Sequence, residues 1–404
     1  MKKILILDTG REWGGGTNSL LEFVKRADRS RYSFTALFYD NYKKGGVSDV
    51  KTELEKYGCP FLQLPRVKTP LRAKALKEAA RAFFFYKKGI KKDFIFFADY
   101  NYRVVPDSKR IAAILRDKGF DLLYMNNQPS SNLEGILGAE EAGVRCIQHA
   151  RVEVALNSVE AAAVNKHVDR VICVSKGVKA GLVKSGVDEG KCVVVPNGID
   201  PDMMPGKTSG AVRRELPSSE EIGAGDGFVI GTAGSLIKRK RIELLLEAVA
   251  LLKNEVIKCI IAGDGPEMSS LKKKAAGLGV KDKVFFTGFS ADALSYINAM
   301  DVFVLPSSKE GFARVVLEAM LMAKPVVAFD VAGIREQVVD GETGIIVKEE
   351  RASALAAAVL KFASDKALIK RYGEAGRVRV IDNFTVAQYV EGVSSVLEEV
   401  LSAS

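Results

Sequence analysis

At about 100–200 residues per domain, a chain of 404 residues makes two domains or three and excludes a peptide or a minimal binding module. Hydrophobic residues are 47%, charged residues 27% and prolines only 12, a globular composition without disordered tracts. The net charge of +10 is unevenly spread: residues 1–190 carry 33 Lys and Arg against 22 Asp and Glu, and residues 191–404 carry 27 against 28. That asymmetry excludes a uniformly basic nucleic-acid coat and points to one basic half meeting an anionic surface.

Seven short apolar, β-branched runs open the chain, at 3–8, 32–38, 60–64, 121–125, 144–148, 170–174 and 192–195, and six more follow at 228–232, 258–262, 283–287, 301–305, 325–329 and 344–347. Runs without alternation predict strands buried on both faces, and the helical segments between them supply the crossovers of a parallel sheet. The series occurs twice, so the expected fold is α/β with two doubly wound Rossmann-like domains: 1–200, a linker at 201–227 rich in Pro and Gly, and 228–383, with a last helix within 384–404. The basic opening at Lys2 and Lys3 precedes an apolar run too short for a signal peptide, and no segment approaches ~18 apolar residues. Five scattered cysteines, mostly in apolar runs, read as buried thiols, and a cytoplasmic location is expected.

The segments that could carry chemistry follow strand ends. The first strand leads into Gly14, Gly15 and Gly16 before an apolar helix, an anion-friendly turn that lacks both the P-loop Gly-Lys-Ser/Thr and dinucleotide-fingerprint spacing. Residues 66–92 hold ten Lys and Arg against the single acid Glu78. Thr69 and Pro70 mark a helix start, and Leu71, Ala75, Ala79 and Phe83 form one stripe after it. Arg72, Lys74, Lys77, Arg81, Lys87 and Lys88 are the cations expected to meet a membrane or an acceptor; a surface helix packed by its own stripe explains the pattern equally well. Of two histidines, His149 falls at a strand's carboxyl edge, where a ligand would meet it, and His167 reads as surface. Asp200 and Asp202 read as a hinge turn.

In the second half, a strand runs into Gly234 and Ser235 and then four consecutive cations, Lys238 to Arg241, at a helix start. The macrodipole disfavours cations there, so a diphosphate clamp is the reading that explains them. Gly263 to Glu267 reads as a structural strand-to-helix turn. The strongest signal is the strand 301–305 followed by Glu310, Gly311 and a helix carrying Glu318. Gly311 permits close backbone approach and helix-start N–H groups can meet phosphate. Two carboxylates beside an anion site are reasonable if they bind sugar and ribose hydroxyls; a helix cap and a solvated acid are the structural alternative. No His and Cys cluster has metal-ligand spacing.

These residues together, with Val193 to Asp200, Gly263 to Glu267, Phe286 to Phe289 and Gly333 to Gly344, resemble family 4 of the retaining glycosyltransferases, of the GT-B fold with its two domains facing across a cleft. The resemblance implies that Glu310 contacts donor-sugar hydroxyls, with the Gly311 and Phe312 backbone near sugar and diphosphate and Ala313 in the donor-binding set, and that the last helix returns to the first domain. It implies Glu318 on the ribose, Lys240 on the diphosphate, and Gly15 and Gly16 closing over it. His149 stands at the family's active-site histidine, and Ser235, Gly288 and Phe289 belong to the donor-binding set. Family members commonly carry Arg where this chain has Ser235, and Arg239 is the nearest substitute.

A UDP- or GDP-sugar is then the expected co-substrate, with no cofactor and no metal. The expected acceptor is a hydroxyl of a glycan or lipid-linked precursor at the inner membrane face, and no nucleic acid is expected as a partner. A GT-B-like nucleotide-sugar epimerase and a small-molecule glycosyltransferase without membrane contact are the alternatives.

Overall fold

A computed structural model describes residues 1–44, 48–67, 70–83, 86, 88–216, 227–252 and 256–403. The chain divides into two compact units, one of Met1–Cys173, Lys179–Val194 and Gly392–Ser404, the other of Val174–Val178 and Val195–Glu391.

The first unit is built on seven strands: β1 (Lys2–Asp8), β2 (Tyr32–Phe38), β3 (Phe61–Gln63), β4 (Leu122–Met125), β5 (Arg145–Ala150), β6 (Arg170–Cys173) and β7 (Cys192–Val194). Their order is β3-β2-β1-β4-β5-β6-β7, every neighbouring pair parallel. The apolar run Ile4–Leu7 is fully buried because helices cover both faces of such a sheet. Helix α1 (Gly15–Arg26) returns from β1 towards β2 and buries Leu20, Phe23 and Val24. Helices α2 (Leu71–Phe83) and α3 (Lys88–Asp99) lie between β3 and β4.

The second unit repeats the plan with six strands, β8 (Phe228–Ala233), β9 (Ile257–Ala262), β10 (Val284–Gly288), β11 (Val302–Leu305), β12 (Val326–Phe329) and β13 (Gly344–Val347), in the all-parallel order β10-β9-β8-β11-β12-β13. Its core joins Ile230, Cys259, Ile261, Val302 and Val304 of the sheet to Leu245 and Val249 of α5 (Ile242–Leu251).

The stretch expected as a linker contains α4 (Ser209–Arg214), which Thr208 caps by accepting from the Ala211 N–H. Val212 and Leu216 are buried, and Arg213 donates to Asp301 at 2.6 Å and to the Ala299 carbonyl at 3.0 Å. This part of the expected linker is therefore a packed element of the second unit; residues 217–226 lie outside the described residues. The last helix, α7 (Val386–Ser402), begins in the second unit and ends in the first, where Glu399 pairs with Arg170 and the Val400 carbonyl accepts from Arg145 at 2.9 Å.

Candidate active site

In open α/β sheets a ligand binds beyond the carboxyl ends of the strands, where strand order reverses. In the second unit that point lies between β8 and β11, since the chain runs outward from β8 to β9 and β10 before crossing back. The segments leaving these two strands are Gly234–Lys240 and Pro306–Ala313. They hold most of the expected donor set, so topology alone selects the same loops as the motifs.

Past β8, Ser235 is exposed, and a single 3-10 turn, Lys238–Lys240, ends at Arg241 in the left-handed region, φ 48°. The four cations separate. Lys240 donates to Glu310 Oε1 at 2.6 Å, and Arg239 reaches Glu310 Oε2 at 3.4 Å and the Lys309 carbonyl at 3.2 Å. Arg241 turns away to Glu350 and over the Phe329 ring. The Ser308 N–H donates back to the Arg239 carbonyl at 2.9 Å, tying the two loops together.

Glu310 is buried. Burial alone raises its carboxyl, but the charges of Lys240 and Arg239 outweigh that and hold it below the ordinary glutamate value. It is therefore ionised at neutral pH, a hydrogen-bond acceptor and a counter-charge rather than a proton donor. Helix α6 (Arg314–Leu321) follows, with Glu318 half-buried in its second turn.

Ala313, expected in the donor-binding set, donates its N–H to the buried Gln337 side chain at 2.9 Å. The N–H groups of Gly311 and Phe312 donate to no acceptor among the described residues, and they are the donors this loop can offer. The Phe312 ring packs edge-on against Phe384, centroids 5.2 Å apart, so only the backbone of Phe312 serves the site. Gly288 ends the edge strand β10 and its carbonyl accepts from Gly263 at 3.0 Å, with Phe289 half-buried beside it. A Cβ on Gly263 would stand 1.9 Å from the Gly234 carbonyl oxygen, which accounts for that glycine turn structurally.

In the first unit the reversal lies between β1 and β4. Here the structure assembles a network that sequence reasoning missed. Asp8, at the end of β1, accepts from Asn126 at 2.5 Å and Asn127 at 2.8 Å, both just past β4, and Asn126 Oδ1 accepts from Arg151 Nε at 2.9 Å, just past β5. The Arg151 stem lies under Gly16, whose Cβ would come 3.4 Å from it, while Gly15 opens α1 exposed. The signal for these residues is positional: each is a polar group at the carboxyl end of a buried run.

His149 also differs from expectation. It is fully buried within β5, its ring edge-on to Tyr124 and its Nδ1 bonded to the Tyr124 hydroxyl. Burial and then Arg151 depress its pKa well below the usual histidine value, so the ring is neutral. His167, expected on the surface, is half-buried and its Nε2 lies 3.0 Å from Glu140.

The model of the glycosyl transferases of group 1 matches residues 215–379, spanning every strand of the second sheet, and the Glycosyltransferase Family 4 model matches residues 69–203. Each half of the chain thus carries a glycosyltransferase family model. Alpha-D-kanosaminyltransferase of Streptomyces kanamyceticus is 36% identical over 168 residues, 41% of this chain and 43% of that protein. The lipopolysaccharide core biosynthesis glycosyltransferase LpsE of Rhizobium meliloti is 34% identical over 160 residues, 40% of this chain and 46% of its own. The match thus spans a little under half the length of these relatives. HepE of Anabaena, in a crystal structure with UDP and glucose, superposes with a TM-score of 0.78 at 21% identity, covering 99% of this chain and 100% of that one. Sucrose-phosphate synthase of Thermosynechococcus elongatus superposes at 0.72 with 19% identity over 100% of both chains. The likeness fixes the GT-B fold with its two Rossmann-like domains.

The basic segment of the first unit is described in part. In α2 the stripe residues Leu71, Ala75, Ala79 and Phe83 are all exposed, Leu71 at 82% and Phe83 at 89%. Lys74 is exposed, Lys77 pairs with Asp99 and Arg81 with Glu78. Lys87 and the side chains of Arg72 and Lys88 lie outside the described residues. The alternative of a helix packed by its own stripe does not hold for these four positions. Among the described residues no helix is long and apolar enough to cross a membrane, and no three His, Cys, Asp or Glu side chains stand together as a metal site. All five cysteines are free and buried.

Proposed function

We propose that the chain transfers a hexose-type sugar from a UDP- or GDP-sugar to a hydroxyl of a glycan or lipid-linked acceptor, with retention of anomeric configuration and without a metal ion. The observation that carries this reading is the gathering of Lys240 and Arg239 on the buried Glu310, beside the N–H groups of Gly311 and Phe312, at the strand-order reversal of the second sheet. Cations and preorganised N–H groups are what a departing diphosphate requires, because catalysis there rests on stabilising charge as it develops. The bond from the anomeric carbon to the diphosphate oxygen breaks with its electron pair going to phosphate; the acceptor oxygen adds from the same face and its proton passes to the departing phosphate oxygen. Lys240 and Arg239 neutralise the growing charge, and Glu310 holds those cations in place while accepting from sugar hydroxyls.

Support for the donor class comes from HepE, solved with UDP-glucose. Support for a polysaccharide acceptor comes from CapM of Staphylococcus aureus, a capsular polysaccharide biosynthesis glycosyltransferase that is 31% identical over 182 residues. The two family models favour transfer over the epimerase. The exposed stripe and cations of α2 support action at an anionic membrane face, where ordinary core packing gives no reason for Leu71 and Phe83 to face water.

A panel of UDP- and GDP-sugars tests the reading. One of them is expected to bind and, with or without acceptor, to release its nucleoside diphosphate, with the product's anomeric coupling matching the donor's; failure of every donor to bind refutes it. Activity is expected to survive EDTA, and loss restored by Mg²⁺ or Mn²⁺ would count against the metal-free scheme.

A further inference from the structure

The loop that presents Glu310 is held by a side chain distant in sequence. Gln337, fully buried at the end of the short helix Ile334–Gln337, turns its whole amide on Ala313. Its Oε1 accepts from the Ala313 N–H at 2.9 Å and its Nε2 donates to the Ala313 carbonyl at 2.8 Å. Asn197 adds a third tie, its Nδ2 donating to the Phe312 carbonyl at 3.0 Å. The backbone beneath is close as well: Gly333, at φ +80°, sits where a Cβ would stand 1.9 Å from the Gly311 carbonyl oxygen.

These contacts divide the loop's hydrogen-bonding groups. The Phe312 carbonyl and both polar groups of Ala313 are engaged by protein, and the N–H groups of Gly311 and Phe312 are left for a ligand. A primary amide of this length satisfies a backbone N–H and a backbone carbonyl at once; an ionised carboxylate accepts only, and an apolar side chain of the same length does neither. Losing it would also strand two buried backbone groups, which the loop could relieve only by shifting.

We propose that Gln337 is a positioning residue of the donor site: by fixing Ala313 it sets where the Gly311 and Phe312 N–H groups point, and so how tightly a diphosphate is held. This rests on the nucleotide-sugar reading above, and Gln337 acts through the loop without touching the donor.

The test compares UDP with UMP, and GDP with GMP, by calorimetry on the full chain, well below the thermal midpoint of each variant. The second phosphate gives the diphosphate its advantage over the monophosphate in the wild type. Gln337→Met, close in size and without the amide, is expected to weaken diphosphate binding about tenfold, the loss of roughly one to two net hydrogen bonds, while monophosphate binding stays the same. Gln337→Glu, which keeps the acceptor and loses the donor, is expected to lower the same ratio, and it carries the test with Asn197→Ala if the methionine variant does not fold. A role in packing alone would lower the thermal midpoint and leave the diphosphate-to-monophosphate ratio at its wild-type value, and that result overturns the proposal. Wild-type protein that binds neither UDP nor GDP overturns the proposed function and this inference with it; wild-type binding with unchanged ratios in the variants overturns this inference alone.

Discussion

Glu310 stays charged inside the protein because Lys240 and Arg239 reach both of its oxygens. Lys240→Ala therefore does two things: it removes the nearer cation from a developing diphosphate and leaves a buried carboxylate with the more distant Arg239. A fall in kcat of ~10²–10³ is expected, the cost of one positioned charge stabiliser, and near-normal turnover would sink the clamp. Lys324 makes a separate prediction about stability. Burial lowers its ammonium to about 8 from 10.5, with Asp301 opposing and Arg213 adding to the drop. Between those two values the unfolded chain binds more protons than the folded one, so this group's contribution to stability rises with pH across that window; below it the folded protein carries the whole penalty. Lys324→Met should stabilise the fold at pH 7, by on the order of 3 kcal/mol at most, and so raise the thermal midpoint there, and the gain should vanish near pH 10.5. Equal gains at both pH values would show that packing is responsible.

Among elements, the strands were the most legible. A run such as Val302–Leu305 has no polar position, is wholly buried, and could be little else than a central parallel strand. The site's loops were legible where a glycine or a charge cluster followed such a run, as at Gly311 and Lys240. What escaped was long-range: nothing near Ala313 in sequence announces that Gln337 will take its N–H, and nothing near Asp8 announces Asn126 and Arg151, because those partnerships exist only once the strands are in register. Helix α4 escaped because six residues with one buried apolar position make no period. Helix α2 could be read two ways until its stripe was seen in the open. The chain is expected to co-sediment with anionic vesicles at low salt, each cation near the surface adding ~1 kcal/mol. Leu71→Ser with Phe83→Ser should weaken that binding without moving the thermal midpoint, since both side chains are mostly outside the fold. Wild-type protein that stays in the supernatant would dismiss the membrane role.

At the scale of the whole molecule, the same architecture serves two electrostatic purposes. The near-neutral half sets four consecutive cations, Lys238 to Arg241, just past β8, whereas most of the excess in the other half falls within residues 66–92. The charge asymmetry is thus local, which is why it argued against a nucleic-acid coat, whose cations would spread along a groove. One feature shared by both sheets makes the docking claim accessible to spectroscopy. Cys59, Cys146, Cys173, Cys192 and Cys259 are all free and all buried, and burial pushes Cys59 and Cys259 up to about 12. A maleimide finds little to react with on the native surface. Ala79→Cys, on the exposed stripe of α2, would be the first sulfhydryl to label, and an environment-sensitive dye there should shift its emission to the blue when anionic vesicles are added.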